Sequence, residues 1–322
     1  MITVLCGGVG AAKFLKGLLM VSNPGDVTAI VNTGDDAVMH GLHVSPDLDT
    51  IIYTLSGEIN PETGWGRHSE TWQAMATLRQ LEREPGDLAW FNLGDKDIGT
   101  HLYRTARLRQ GATLSEVAAE IAKGYGVEIT VLPMSDNRVS TMMRLAGGLA
   151  GGASEEISFQ EYFVKLRHDV EIASVRFDGA ETALAAPGVA EAIAEAEVLV
   201  LAPSNPVVSL GPPLAIDGIR SAVVERVANG KPTTAISPLI GGQALKGPAD
   251  RLLVEMGQEA SSAGITRWYE GLIDTLVIDE ADAGDKALVE ACDIACVVTQ
   301  TVMDTPEIAG SLAQTILDLA NR

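Results

Sequence analysis

The sequence predicts an α/β fold: a parallel sheet interrupted by a helical insert. Three observations carry that expectation. "MITVLCGGVGAAKFLKGLLM" followed by "DVTAIVN" reads as strand, glycine turn, helix and strand, the βαβ unit of a parallel sheet. Short apolar, strand-like runs return after residue 127 with helical patterns between them. Between residues 60 and 125 such runs are nearly absent, and amphipathic helical patterns replace them. A length of 322 residues suits one large α/β domain or one domain with a smaller insert. Hydrophobic residues make up 46% and aromatic residues 4%, so the core must rest on Val, Ile, Leu and Ala.

Taken in order, "ITVLC" is a β-favouring run, and the apolar positions Phe14, Leu15, Leu18 and Leu19 recur at helical spacing. "RHSETWQAMATLRQLERE", "KDIGTHLYRTARLRQ" and "TLSEVAAEIAKGYG" are amphipathic helices, and Thr113 to Glu116 fits a capping box. "VEITVLP" (127–133) and "EIASVRF" (171–177) are strands, and "AEVLVLAPSNP" (196–206) is the clearest buried one. "GVAEAIAEA" precedes it as a helix, and "PTTAISP", "DTLVID" and "CDIACVVT" supply further strands. The glycine run "GGLAGGAS" (147–154) reads as a surface hairpin or loop. The chain thus divides into a sheet domain of residues 1–60 and 127–322 and a helical insert of residues 61–126.

The formal net charge of −20 argues against nucleic acid or an anionic membrane as a non-specific partner. An anionic small substrate stays compatible with it, because a local cation can override the global sign. Cys6, Cys292 and Cys296 make no disulfide framework and fit a reducing compartment; Cys292 and Cys296 read as small apolar residues rather than a metal pair. The N-terminus opens on a strand, and neither a signal peptide nor a spanning segment is visible, so a soluble, cytoplasmic protein is expected.

Polar motifs follow the strands. Gly7, Gly8 and Gly10 lie between a strand and a helix, where backbone N–H groups can approach a phosphate. Lys13 stands where a dinucleotide fingerprint has its third glycine, and Asn32 where it has a ribose-binding acid, which disfavours a dehydrogenase. Asp35, Asp36, Asp47 and Asp49 crowd the segment after the second strand. Ser45 and Pro46 fit a helix start, and early acids suit its dipole, which accounts for Asp47 but poorly for Asp36 and Asp49. A divalent cation on some pair of these acids would remove their repulsion, and Mg²⁺ typically takes one or two carboxylates plus substrate phosphate oxygens. "WFNLGDKDIGTHL" sets out Asn92, Asp95, Lys96, Asp97 and His101; "LPMSDNRVST" is a polar loop; Ser204 and Asn205 follow the strongest strand, and Gly241 and Lys246 follow another. Strand ends that converge in this way build nucleotide sites. His40 and His43 have HxxH spacing without a third ligand nearby, and the absence of GxSxG disfavours a serine hydrolase.

With "GGVGAAKFLKGL", "VNTGDDAVMHGLHVSPDLDT", "GWGRHSETW", "LGDKDIGTHL", "LPMSDNRVST", "APSNPVVSLGP" and "SPLIGGQALKGPAD" in this order over residues 1 to 260, the sequence resembles the CofD-like 2-phospho-L-lactate transferases of coenzyme F-420 biosynthesis. Two of the spellings look like the bacterial branch, which is associated with an enolpyruvyl donor. The resemblance implies a Rossmann-like, three-layer nucleotide-binding domain whose insert covers the acceptor side. It implies a GDP-linked donor, the deazaflavin acceptor Fo, Mg²⁺ and release of GMP. By position, Asp36 and Asp49 match acids near metal and acceptor, Asn92 a position contacting Fo, and Gly7, Gly8, Gly10, Ser204, Asn205 and Gly241 loops around the nucleotide; Lys13 and Asn32 stand with them. A homodimer is the expected assembly. Related CofD-like proteins that bind nucleotide sugars and act in regulation are the alternative reading.

Overall fold

In the computed structural model, which describes residues 1–84, 86, 88–147 and 155–320, the chain forms a seven-stranded sheet with helices on both faces. The glycine run expected as a surface loop lies outside the described residues except for Gly147. Strand β1 (Ile2–Cys6) leads into α1 (Gly8–Leu18), and β2 (Val27–Val31) returns beside β1 in parallel. A small antiparallel hairpin, β3 (Ala37–Met39) and β4 (Leu42–Val44), precedes α2 (Pro46–Ser56). Helices α3 (Gln73–Leu81), α4 (Asp95–Arg109) and α5 (Leu114–Gly124) follow, and β5 (Thr130–Pro133) pairs in parallel with β2.

The strand "EIASVRF" forms, but outside the main sheet. Strands β6 (Ser140–Leu145), β7 (Glu156–Ser158) and β8 (Ile172–Asp178) make a separate antiparallel sheet in the order β7-β6-β8. The chain then runs through α6 (Val189–Glu195), β9 (Val198–Leu201), α7 (Gly211–Ala215), α8 (Asp217–Ala228) and β10 (Thr233–Ile236). A two-stranded ribbon, β11 (Leu239–Ile240) and β12 (Gln243–Ala244), leads to α9 (Ala249–Glu255) and α10 (Ser262–Trp268). Strand β13 (Thr275–Ile278), α11 (Lys286–Glu290), β14 (Ala295–Val298) and α12 (Pro306–Ala320) complete it.

The main sheet has the order β14-β13-β10-β9-β1-β2-β5, every pairing parallel. Connections run one way from β1 to β2 and β5, and the other way from β9 to β14. The β1/β9 boundary is therefore the topological switch point, where open α/β sheets bind ligands beyond the carboxyl ends of the strands. Strand alternation divides the core into two layers. Val4, Cys6, Val31, Val200 and Val277 pack under α1, α2, α5 and α12; Leu5, Ile30, Leu199, Leu201 and Leu276 pack under the opposite layer.

Local signals explain the helix boundaries. The capping box expected at Thr113 is present: its hydroxyl accepts from Glu116 N, and the Glu116 carboxylate accepts from Thr113 N. Helix α5 buries Val117, Ala118, Ile121 and Ala122 beside β5, so it serves the sheet as a layer helix. The other two helices of the insert, α3 and α4, cap each other. Glu70, just before α3, accepts from Lys96 N at 2.8 Å and Asp97 N at 2.9 Å, and Asp95 accepts from Gln73 N at 3.0 Å and Ala74 N at 3.1 Å. "GWGRHSETW" and "LGDKDIGTHL" are in this way one structural unit.

All three cysteines are free, Cys6 and Cys296 buried and Cys292 exposed. Among the described residues, no helix is long and apolar enough to cross a membrane. Helices α1 and α12 touch where residue 17 has no side chain: a Cβ there would lie 2.4 Å from the backbone carbonyl carbon of Ala309. Gly17→Ala should therefore separate the two helices and lower stability by about 1–3 kcal/mol, checked by thermal denaturation against Gly124→Ala, where a Cβ would meet nothing within 4 Å.

Candidate active site at the switch point

The carboxyl ends of β1 and β9 are stitched together by one hydroxyl. Ser204 Oγ donates to Gly7 O at 2.8 Å and accepts from Gly7 N at 3.3 Å. Gly10, in the first turn of α1, packs so closely on the β9 loop that a Cβ would lie 2.3 Å from Pro203 O. Two of the site-candidate segments thus meet at the switch point. Asn205 engages its own turn, its Oδ1 accepting from Val207 N at 2.9 Å.

Asn32, fully buried at the end of β2, organises the next part. Its Nδ2 donates to Asp47 Oδ2 at 2.9 Å and lies 3.3 Å from Asp35 Oδ2, while its Oδ1 accepts from Gly34 N at 2.8 Å. An amide rather than an acid at this position lets two carboxylates approach it. Asp47 also accepts from Gly8 N at 2.9 Å. The glycine loop's amide at the start of α1 is therefore turned toward an internal carboxylate.

Helix α2 starts at Pro46 as expected, but Ser45 does not cap it. Its hydroxyl donates to Asp36 Oδ2 at 2.6 Å. The serine is spent on holding an acid, and the helix start leans on its proline and on Asp47 and Asp49 in the first turn.

Asp49 has the most elaborate surroundings. The guanidinium of Arg104, a fully buried residue of α4, donates to both of its carboxylate oxygens, with Arg104 Nη1 at 3.1 Å from Oδ2. Arg104 Nη1 also contacts His101 Nδ1 at 3.1 Å. Guanidinium can only donate, so Nδ1 accepts and the ring proton sits on Nε2, which faces Asp97 Oδ2 at 3.3 Å. Asp97 Oδ1 accepts from the Tyr53 hydroxyl at 2.8 Å. Asp97, His101 and Arg104 share a face of α4 because they are four and three residues apart. One ligand atom from each of Asp49, Asp97 and His101 lies within 4.8 Å of the others, a spacing suited to a divalent cation.

The electrostatics follow from burial. Desolvation pushes the Asp35 and Asp36 carboxyls well above the usual range, reinforced for Asp35 by Asp47 and opposed for Asp36 by the Ser45 hydroxyl and Arg104. Asp47 is raised to about 6 by burial, against the bonds from Asn32 and Gly8. Burial would also raise Asp97, but His101 and Tyr53 outweigh it and hold it low. Burial works against the Arg104 charge, and Asp49 keeps it protonated. Two buried carboxylate oxygens, Asp35 Oδ1 and Asp36 Oδ1, have no hydrogen-bond partner. A buried, unpartnered carboxyl oxygen either keeps its carboxyl protonated or is met by a cation, so these residues fit a divalent metal.

The structure gathers Gly7, Gly8, Gly10, Asn32, Asp36, Asp49 and Ser204, with Asp35 and Asp47, at this sheet edge. It places three other candidates in different contacts. Lys13 is exposed and donates to Met303 O at 3.2 Å; Asn92 is exposed and accepts from Arg79; Gly241 N donates to Asp282 Oδ2 at 3.0 Å. The polar loop 132–141 is used internally: Asp136 accepts from Ser115 N at 2.7 Å, and Ser135 donates to Leu184 O at 2.6 Å. Arg104 and Tyr53 were not apparent as site residues in the sequence. The helical spacing of Asp97, His101 and Arg104 was the available signal.

A Rossmann-like parallel sheet with an acid-lined rim at its switch point defines the class as an α/β protein with a candidate ligand site beyond its strand ends. Residues 2–310 match the family described as 2-phospho-L-lactate transferase CofD. The chain is 44% identical over 320 residues to a phosphoenolpyruvate transferase of Streptomyces griseus, covering 99% of this chain and 98% of that protein. It is 40% identical over 333 residues to a phosphoenolpyruvate transferase of Mycolicibacterium smegmatis, with 99% and 98% covered. The crystal structure of a UPF0052-family protein from Bacillus halodurans has the same fold, with a TM-score of 0.64 at 18% identity and 98% of each chain covered. The chain belongs to the CofD 2-phospho-L-lactate transferase family, and hence to a family of transferases.

A carboxyl whose pKa is raised in the folded chain holds its proton more tightly there. Its contribution to stability is complete below the unfolded value near 3.8 and is lost as pH rises through the folded value. Asp35, Asp36 and Asp47 all shift this way. The metal-free protein should therefore lose stability as pH rises from near 3.8 through about 6, the Asp47 window, and Asp47→Asn should make the decline shallower. His43, lowered by burial, acts in the opposite sense. Melting temperatures across that range, measured with a chelator present, check the slope.

Proposed function

We propose that the protein is the transferase of coenzyme F-420 biosynthesis that moves a phospho-three-carbon-acid group, with phosphoenolpyruvate favoured by its relatives' names, from a GDP-linked donor to the ribityl hydroxyl of Fo. The hydroxyl oxygen forms a bond to the phosphorus nearest the three-carbon acid. The bond from that phosphorus to the bridging oxygen breaks, GMP leaves with that oxygen, and the hydroxyl proton passes to a base or solvent. The observation that carries the reading is the acidic rim at the switch point, with Asp35 Oδ1 and Asp36 Oδ1 buried and unpartnered.

Asp36, fixed by Ser45, and Asp49 beside it would hold Mg²⁺, which neutralises diphosphate charge. Asp49, held by Arg104, is also the group suited to orient the acceptor hydroxyl. The loops at Gly7–Gly10, Ser204, Asn205 and Gly241, with Asn32 behind them, are assigned to the nucleotide, and Asn92 to Fo. Lys13 joins the nucleotide set only by leaving Met303. Transfer of this kind rests on positioning and charge neutralisation, and no side chain is given a covalent role. Residues 61–126 are assigned as the cover of the acceptor side, and the protein as a cytoplasmic homodimer. A nucleotide-sugar-binding regulator is the second reading, because the fold alone, shared with the UPF0052 protein, suits binding without transfer.

Mixing Fo with GDP-linked enolpyruvate, lactate and glycerate donors should give a phosphodiester by mass spectrometry with one of them, together with GMP. Tight nucleotide-sugar binding with no change in Fo fluorescence would favour the regulator. Asp49→Asn should lower turnover by at least about 100-fold with an unchanged circular dichroism spectrum; wild-type turnover in that variant would remove Asp49 from the site.

A further inference from the structure

The trio Asp49, Asp97 and His101 has the spacing of a metal site, yet a cation already stands among these groups. Arg104 is 1% exposed, and its guanidinium bonds both oxygens of Asp49 and the Nδ1 of His101. The His101 lone pair on Nδ1 is consumed by that bond, and its Nε2 proton faces Asp97. No ring lone pair is left for a metal. Asp49 is matched by the guanidinium and Asp97 by the Tyr53 hydroxyl, while His101 Nε2 lies 3.3 Å from Asp97 Oδ2 without a hydrogen bond. Asp36 is different: one oxygen takes the Ser45 hydroxyl, and the other has no partner.

We propose that Arg104 is a positioning residue for the transfer: its planar fork replaces a metal at Asp49 and aims that carboxylate at the acceptor hydroxyl, leaving Asp36 as the main cation ligand. The inference rests on the reading above and amends it at one point: of the two aspartates assigned to Mg²⁺, Asp36 takes the cation and Asp49 keeps the hydroxyl-orienting role. The fork matters as well as the charge, because two parallel N–H donors fix the carboxylate plane where an ammonium fixes only a point. The bonds to His101 and to His43 O, the latter at 3.4 Å, hold the fork itself in place.

Two variants test it, with Mn²⁺ binding followed by electron paramagnetic resonance and transfer followed by GMP release. Arg104→Lys keeps the charge and loses the fork. Its kcat should fall roughly 10- to 100-fold, with KM for the GDP-linked donor unchanged and Mn²⁺ affinity within about threefold of wild type. Arg104→Met removes the charge and frees Asp49 for a metal. Turnover should be lost while Mn²⁺ binds at least about fivefold tighter. A purely structural arginine would lower metal binding and turnover together, so that outcome overturns the proposal. So does turnover within threefold of wild type in either variant, or a rise in KM alone. If Arg104→Met does not fold, the split between kcat and KM in Arg104→Lys decides. If the wild-type protein transfers nothing, the proposed function fails, and the Mn²⁺ comparison still judges the role of Arg104 as internal cation.

Discussion

Carboxylates kept out of water at one sheet edge are the constraint on which the rest of this structure depends. Asp35, Asp47 and Asp49 are 7%, 8% and 5% exposed, and Asp36 stands among them. Burying such charges without partners costs several kcal/mol each, even after relaxation. The protein answers differently at each position. Asp47 takes the Asn32 amide and the Gly8 N–H, Asp36 takes one hydroxyl, Asp49 takes a whole guanidinium, and Asp35 keeps a bare oxygen. Incomplete compensation at Asp35 and Asp36 is the observation on which the proposed cation site rests.

The sheet topology explains why these groups meet. Strands β1 and β9 diverge in their connections, so the Gly7 and Ser204 loops face each other at the switch point, and the β2 loop brings Asn32 to Asp36 alongside. Helix α2 returns Asp47 and Asp49 to the same edge. The compensating Arg104 comes from α4, more than fifty residues along the chain. Breaking a buried pair of this kind typically costs about 3–5 kcal/mol, so the Asp49–Arg104 contact also fastens the helical region to the sheet. The mutual caps of Glu70 and Asp95 hold α3 and α4 to each other, and Arg104 ties α4 to Asp49.

Much of this was legible in the residues. Every strand expected from an apolar run formed, because a buried parallel strand needs continuous Val, Ile and Leu and little else satisfies that pattern. The capping box at Thr113 and the helix start at Pro46 are local chemistry and came out as read. Other features were not legible. "EIASVRF" is a strand by composition, but its mostly exposed face and antiparallel partners belong to a second sheet. Ser45 had the right position for a cap and was claimed by Asp36 instead. Lys13 follows the glycine loop in sequence, and its ammonium donates to Met303 O on the segment before α12.

By itself the sequence determined the parallel sheet, the glycine turn after β1, the crowding of four aspartates behind β2 and the family to which they belong. These are properties of neighbouring residues: periodicity, propensity and spacing act within one element. Which carboxylate is neutralised, and by what, was decided only by the tertiary structure. Arg104, His101 and Tyr53 reach Asp49 and Asp97 across elements that share no local pattern, and the strength of each contact depends on the exclusion of water, which exists only once the chain has folded.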